Sequence, residues 1–272
     1  MCGILGISSI APVAQDLYDG LMLLQHRGQD SAGIVSFDGR FNLHKGNWLV
    51  RDVFQMENMV RLRGNVGIGH VRYPTAGCYD AAEAQPFIAN NPFGIALIHN
   101  GNLTNYSELK DQVINDNSRY LNTASDSEVL LNVLANEIRA LNSKKLTPQL
   151  IFDAVKKVFA RIKGSYSVIC LIAGYGMLAF RDRNGIRPLV FGKRDLGHGP
   201  EYIFASESVA LDTLGFQVVR DVQPGEAIFI DMNREVFIRQ IEKPDWAPCI
   251  FEYVYLARPD SVIDDISVYK SR

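Results

Sequence analysis

The second residue of the chain is a cysteine, directly behind the initiator methionine, and it opens the apolar run Met1-Cys-Gly-Ile-Leu-Gly-Ile7. Removal of Met1, the usual fate ahead of so small a residue, would leave a thiol and a free α-amine on adjacent carbons. A model thiol has a pKa of about 8.5 and an α-amine about 7.7 to 8.0, so near neutral pH the amine can take the thiol proton directly or through one water. Such a nucleophile carries its own base. The residues behind it, Gly3 to Ile7 with β-branched Ile4 and Ile7, read as a short buried strand that would hold Cys2 rigidly. The competing reading is plain packing, since cysteine commonly behaves as a small buried hydrophobe.

Three further segments carry groups that could complete a site around such a thiol. Arg72 ends an apolar stretch and precedes the Pro- and Gly-containing run Tyr73 to Gly77. Its planar fork of donors matches a carboxylate, and Thr75 adds a hydroxyl; the alternative is a surface ion pair. Asn100-Gly101 could offer a side-chain amide and an unhindered backbone N–H to a developing oxyanion, or be an ordinary Asn-Gly turn. Asp126 stands where a helix begins, a place that favours an acid through the helix dipole whatever its function. A thiol, an oxyanion loop, a carboxylate clamp and an acid for an ammonium together form the set needed to hydrolyse a free amino-acid amide. Cys78 with His70 or His99 would be a different device, a Cys–His hydrolase.

The elements that must position these groups follow from periodicity. Val13, Leu17, Leu21 and Leu24 predict a helix over 13–26. Asp38-Gly39 predicts a tight hairpin between strands at 33–37 and 41–44. A short helix is expected near 53–59 and strands at 66–71 and 95–99. Ser125 to Glu128 has capping-box spacing ahead of a helix carrying Val129, Leu130, Val133, Leu134 and Ile138. Thr147-Pro148 opens another helix to about 162. Strands at 166–173, 176–181, 187–192, 201–205, 217–220 and 226–230 follow, with one helix near 208–214. These blocks imply an α+β fold with two sheets face to face and helices outside.

Composition sets the bounds. With 272 residues and 47% hydrophobic content, the chain can bury a large core. Its 28 Lys+Arg against 30 Asp+Glu give a net charge of −2, which argues against a nucleic-acid or anionic-membrane surface. No stretch approaches the ~20 apolar residues of a membrane span, and four scattered cysteines fit a reducing compartment without zinc, so a cytoplasmic location is expected.

The motifs resemble one family. Met1-Cys-Gly-Ile-Leu-Gly-Ile7, Leu24-Gln-His-Arg-Gly-Gln-Asp30, Gly69-His-Val-Arg-Tyr-Pro-Thr-Ala-Gly77, His99-Asn-Gly-Asn-Leu-Thr104, Ser125-Asp-Ser-Glu128 and Ala205-Ser-Glu-Ser208 are similar to the class II glutamine amidotransferases, which are N-terminal-nucleophile hydrolases. Gly185 to Leu189, Asp221 to Glu226 and Phe251 to Ser261 resemble members that carry a second, phosphoribosyltransferase domain. The resemblance implies a four-layer α/β/β/α sandwich and hydrolysis of glutamine to glutamate and ammonia through a thioester on Cys2. It assigns Asn100 and Gly101 to the oxyanion hole, Arg72 and Thr75 to the substrate carboxylate and Asp126 to its ammonium. Arg27 and Gly28 would pack beside Cys2, and Tyr73 to about Glu83 would form a lid.

The implied domains are a glutaminase over 2–235 and a linker over 236–272 leading to a phosphoribosyltransferase domain. There the ammonia would convert phosphoribosyl pyrophosphate to 5-phosphoribosylamine, the first step of purine synthesis. Val262-Ile-Asp-Asp-Ile-Ser267 superficially imitates a phosphosugar motif but lacks the glycines of a phosphate cradle, so it is read as linker. The resemblance implies no metal and no cofactor for this chain, Mg2+ only for the second domain, and too few grouped cysteines for an iron–sulfur cluster. The expected partners are glutamine, the chain's own C-terminal domain and, at full length, further copies of itself.

Overall fold

The computed structural model describes residues 2–73, 81–116 and 119–272. In chain order the strands of the two main sheets are β1 Gly3–Ser8, β2 Ser31–Phe37, β3 Phe41–Asn47, β4 Val66–Arg72, β5 Phe87–Ala89, β6 Ile95–Leu103, β7 Gly164–Ile172, β8 Gly176–Arg181, β9 Val190–Asp195, β10 Pro200–Ala205, β11 Gln217–Asp221, β12 Glu226–Asp231 and β13 Val236–Gln240. One antiparallel sheet runs β11-β9-β10-β1-β4-β2-β3 and the other β13-β12-β8-β7-β6-β5.

β1 is buried at every position, because both of its faces are covered. Ile4 joins Ile68, Ile98, Ile169 and Phe204 between the sheets, while Leu5 and Ile7 point outward to Leu17 and Leu21 of the helix Ala14–Leu23. That helix lies close to the sheet because Gly67 and Gly69 leave room: a Cβ there would stand 2.6 Å from Leu17 and 2.9 Å from Leu21. The second sheet is covered by the helices Asp126–Ala140 and Pro148–Arg161, whose Val129, Leu130, Val133, Val155 and Phe159 pack on Leu97, Val168 and Phe180. The result is the expected α+β sandwich of four layers, α/β/β/α. Among the described residues no helix is long and apolar enough to cross a membrane.

Several local expectations are modified by tertiary contacts. The helix over 13–26 ends at Leu23 and tightens into a 3₁₀ turn at Gln25–Arg27, because Gln25 bonds Gly28 O and Val50 N while Arg27 turns inward. The short helix near 53–59 is two separate turns, Val50–Val53 and Met56–Met59. β9 starts at Val190 rather than 187, since the Arg187 carbonyl is taken by Arg181 Nε at 2.7 Å and Ser167 Oγ at 2.9 Å. Ser125 does cap its helix by accepting from Ser127 N, but Glu128 accepts from Asn122 and Thr123 instead of reaching back to Ser125.

The largest difference concerns 236–272, expected to be linker. Val236–Gln240 is the edge strand β13, paired with β12. Beyond it, Glu252 and Asp264 return to the body of the sandwich. Asp264 forms a bidentate pair with the buried Arg181 at 2.7 and 2.9 Å, and the two acids of the phosphosugar-like motif sit in a small hairpin, Val262–Ile263 with Ile266–Ser267. Asp264 is thus used structurally. Removing one partner of a buried ion pair leaves an uncompensated charge at a cost of about 3 to 5 kcal/mol. Asp264→Ala is therefore expected to lower the urea midpoint strongly and to expose the 250–270 segment to proteolysis, whereas Asp245→Ala, on the exposed Arg183–Asp245 pair, is expected to change neither.

Candidate active site

Cys2 and Arg72 end adjacent strands, β1 and β4, paired at Gly3 with Val71. Side chains alternate across a strand, so Cys2 shares the inward face with Ile4, and Arg72 shares it with Ile68. Across the gap, β6 of the other sheet presents Asn100 on the inward face that holds Ala96 and Ile98. The ends of the two sheets thus enclose a cavity of about 180 Å³ lined by Cys2, Arg72, Gly101 and Asp126, with His99 and Tyr106 on its wall.

Asn100 is the centre of this geometry. Its Oδ1 accepts from the Cys2 nitrogen at 3.2 Å, whereas its Nδ2 is buried and has no partner among the described residues. A buried, unpaired amide donor is costly, of the order of 1 to 3 kcal/mol, and so calls for an explanation such as a role in catalysis. Gly101 adds a second donor. Tyr166, its opposite number on β7, spends both its N–H and its carbonyl on Asp182, so Gly101 and Tyr166 are not a hydrogen-bonded pair. The Gly101 N–H accordingly lies on the other edge of β6. On that edge the neighbouring His99 N–H is accepted by Gln85 Oε1 at 2.7 Å and the Leu103 N–H by Asp126 Oδ2 at 3.0 Å. Glycine is obligatory there, since a Cβ would fall 2.0 Å from Ser165 O.

Asp126 keeps its other oxygen, Oδ1, 3.9 Å from His99 Nδ1 and at the cavity wall. His99 itself is bonded to Ser127 Oγ at 3.1 Å, and burial holds its imidazole below the ordinary value against the pull of Asp126. His70 is fully buried, and burial and the Arg72 charge push its imidazole down to about 3. Cys78, the other half of the Cys–His alternative, lies outside the described residues, as do Thr75 and most of the expected lid. The Cys2 thiol lies 3.9 Å from the Tyr73 carbonyl; burial pushes it up, with the Tyr73 hydrogen bond and the Arg72 charge acting the other way.

Arg27 and Gly28 serve the site from behind. Arg27 donates from Nε to Cys2 O at 3.1 Å, from Nη1 to Glu207 at 2.6 Å and from Nη2 to Glu252 at 2.6 Å. Gly28 packs closely on the backbone of Arg72, where a Cβ would sit 2.5 to 2.7 Å from Arg72 main-chain atoms. Glu83, Gln85, Glu207 and Glu252 were invisible as site supports in the sequence because their partners are distant. The one available signal was Glu207 itself, an acid in the short run Ala205-Ser-Glu-Ser208 directly behind the apolar Tyr202 to Phe204.

An N-terminal thiol at the mouth of two stacked antiparallel sheets defines the N-terminal-nucleophile hydrolase fold. A glutamine amidotransferase domain model matches residues 70–213, and the chain belongs to that family. Over its whole length it is 58% identical to an amidophosphoribosyltransferase of Pasteurella multocida and 55% identical to that of Escherichia coli, in each case spanning 55% of the relative. The solved glutamine phosphoribosylpyrophosphate amidotransferase of B. subtilis, complexed with ADP and GMP, superposes with a TM-score of 0.84 at 35% identity, over 98% of this chain and 55% of that one. The chain therefore spans about half the length of these curated relatives.

The Glu207 carboxylate gives the site a pH limit. Burial alone would raise it, but the His26 hydrogen bond and the Arg27 charge outweigh burial and hold it at about 2, below its ordinary 4.5. A depressed carboxylate contributes stability that is present above the unfolded value and lost as pH falls through the folded one. Urea midpoints are therefore expected to fall as pH drops from 4.5 toward 2. Glu207→Gln should be less stable at pH 7 and should flatten this part of the profile; an unchanged slope in the variant would remove Glu207 from the account.

Proposed function

We propose that the chain hydrolyses glutamine to glutamate and ammonia, and the observation that carries this reading is the unpartnered Asn100 amide beside Cys2. With Met1 attached, the Cys2 nitrogen is a peptide N–H; once Met1 is removed it becomes the α-amine. That amine takes the thiol proton, and sulfur attacks the side-chain amide carbon. The oxygen of the resulting tetrahedral adduct is received by Asn100 Nδ2 and Gly101 N–H. As the C–N bond breaks, the protonated amine returns its proton to the departing nitrogen, releasing ammonia and leaving a thioester. Water, deprotonated by the same amine, then cleaves the C–S bond to give glutamate and restore the thiol. Arg72 would hold the α-carboxylate and Asp126 the α-ammonium, the two charges that distinguish a free amino acid from a peptide side chain.

In a longer protein the ammonia would be passed to phosphoribosyl pyrophosphate to make 5-phosphoribosylamine. This reading is supported by the names of the relatives and by the exposed aromatic side chains Phe251, Tyr255 and Tyr269 of the C-terminal segment, suited to cover by a further domain. Any Mg2+ would serve that domain, and no step proposed for this chain uses one. Among the described residues no group of three or more His, Cys, Asp or Glu could hold a metal.

Two experiments test the chemistry. Asn100→Ala removes a donor used mainly in the transition state and is expected to lower kcat by roughly 10²- to 10³-fold with little change in KM, whereas Arg72→Ala raises KM. Reversed effects would mean the pocket is misassigned. A preparation whose intact mass retains Met1 should bind glutamine but release no glutamate, because its base is an amide; full activity in that preparation would refute the amine as base.

A further inference from the structure

The described residues hold a carboxylate that the reaction above does not use. Glu83 Oε2 lies 2.6 Å from Arg72 Nη2, and both side chains are buried, at 5% and 8% exposure. Glu83 occupies the 3₁₀ turn Ala81–Glu83, and that turn is fastened from outside the pocket. The Lys45 ammonium, on β3, donates to the carbonyls of Ala82 and Ala84 and lies over the Phe87 ring. One residue further on, Gln85 bonds the backbone N–H and carbonyl of His99 and the hydroxyl of Ser127. Gln85 also sits directly on β2, where a Cβ at Gly33 would fall 2.0 Å from Gln85 O.

These contacts make Glu83 a fixed point rather than a loose acid. A guanidinium offers five N–H donors in a rigid plane, so a carboxylate on one terminal nitrogen leaves the other edge of the fork for a second carboxylate. The charge count agrees: a buried Arg72 facing only the substrate would be an uncompensated cation whenever the pocket is empty.

We propose that Glu83 is a positioning residue for glutamine: anchored by the turn that Lys45 and Gln85 hold, it fixes the Arg72 guanidinium so that its free edge receives the substrate α-carboxylate. This rests on the reading of the pocket as a glutaminase. Because the turn is pinned from three directions, Glu83 is not a competitor that must leave before substrate enters. An autoinhibitory carboxylate would predict the opposite effect of its removal.

The test uses the Met1-free chain with glutamine as substrate. It also compares two electrophiles for Cys2: 6-diazo-5-oxonorleucine, which carries the amino-acid carboxylate, and chloroacetamide, which does not. Glu83→Ala is expected to raise KM for glutamine roughly 30-fold and Glu83→Gln, which keeps an acceptor, roughly 5-fold, with kcat within about twofold in both. Labelling by the amino-acid electrophile should slow in the same proportion while chloroacetamide labelling is unchanged, a pattern general loosening of the fold would not give. Should Glu83→Ala not fold, Lys45→Met, which frees the turn but leaves Arg72 and Glu83 in place, should still raise KM several-fold at constant kcat. A lowered KM, an unchanged KM, or equal slowing with both electrophiles would overturn the proposal. Failure of the wild-type chain to release glutamate or to be labelled by the amino-acid electrophile would instead overturn the glutaminase reading beneath it.

Discussion

A single guanidinium with almost no exposed surface, that of Arg27, is the tie on which the nucleophile's placement depends. Its three directions of donation reach the Cys2 carbonyl, Glu207 at the head of the helix Ser208–Thr213, and Glu252 in the C-terminal segment. Burying a cation is expensive, and the two carboxylates more than offset that burial, holding its pKa above the ordinary value. Glu207 is in turn saturated by His26, by the Arg258 N–H and by the Ser261 hydroxyl. Every member of the network is satisfied by another member from a different part of the chain. That is the condition under which buried charges specify an arrangement rather than weaken it.

The network also separates rigidity from reactivity. Cys2 is gripped through its carbonyl, on the side away from the cavity, while its nitrogen and sulfur are left to Asn100 and to the pocket. The same division recurs at Arg72, whose backbone packs on Gly28 and whose side chain is braced by Glu83. Preorganised groups of this kind need little rearrangement when charge develops, which is where electrostatic catalysis gains most.

Much of this was legible in the sequence, for reasons that can be named. Periodicity and apolar runs are local, so the unbroken apolar stretch of β1 and the 3.6-residue spacing around Val129 and Leu130 placed the layers correctly. Cys2, Arg72 and Asp126 stood out because each is a reactive or charged residue at the end of an apolar strand or the start of a helix, and the fold gathers them with Gly101 around one cavity. Asn100 and Gly101 lie inside β6, which continues to Leu103 instead of ending at 99 as the apolar run suggests. What escaped notice depends on long-range pairing. The Arg187 carbonyl delays β9, Glu128 prefers Asn122 and Thr123 to its expected cap, and Asp264 looks like part of a ligand motif until Arg181 is seen opposite it. No local pattern announces a partner 83 residues away.

The position of β1 has a consequence for how the protein is made. The strand behind the nucleophile is not at an edge; it lies between β4 and β10, with Leu5 opposite both Gly69 and Ala205. During synthesis the amino terminus leaves the ribosome first, yet one of its two neighbouring strands is encoded some two hundred residues later. Until that segment emerges, the first strand can have only one side of its hydrogen-bonding edge paired, and Arg27 lacks Glu207. Contacts of such sequence separation form late and slowly. The thiol is thus translated well ahead of the strand that completes its seat, so a nascent chain carries its nucleophile before the pocket that would let it act.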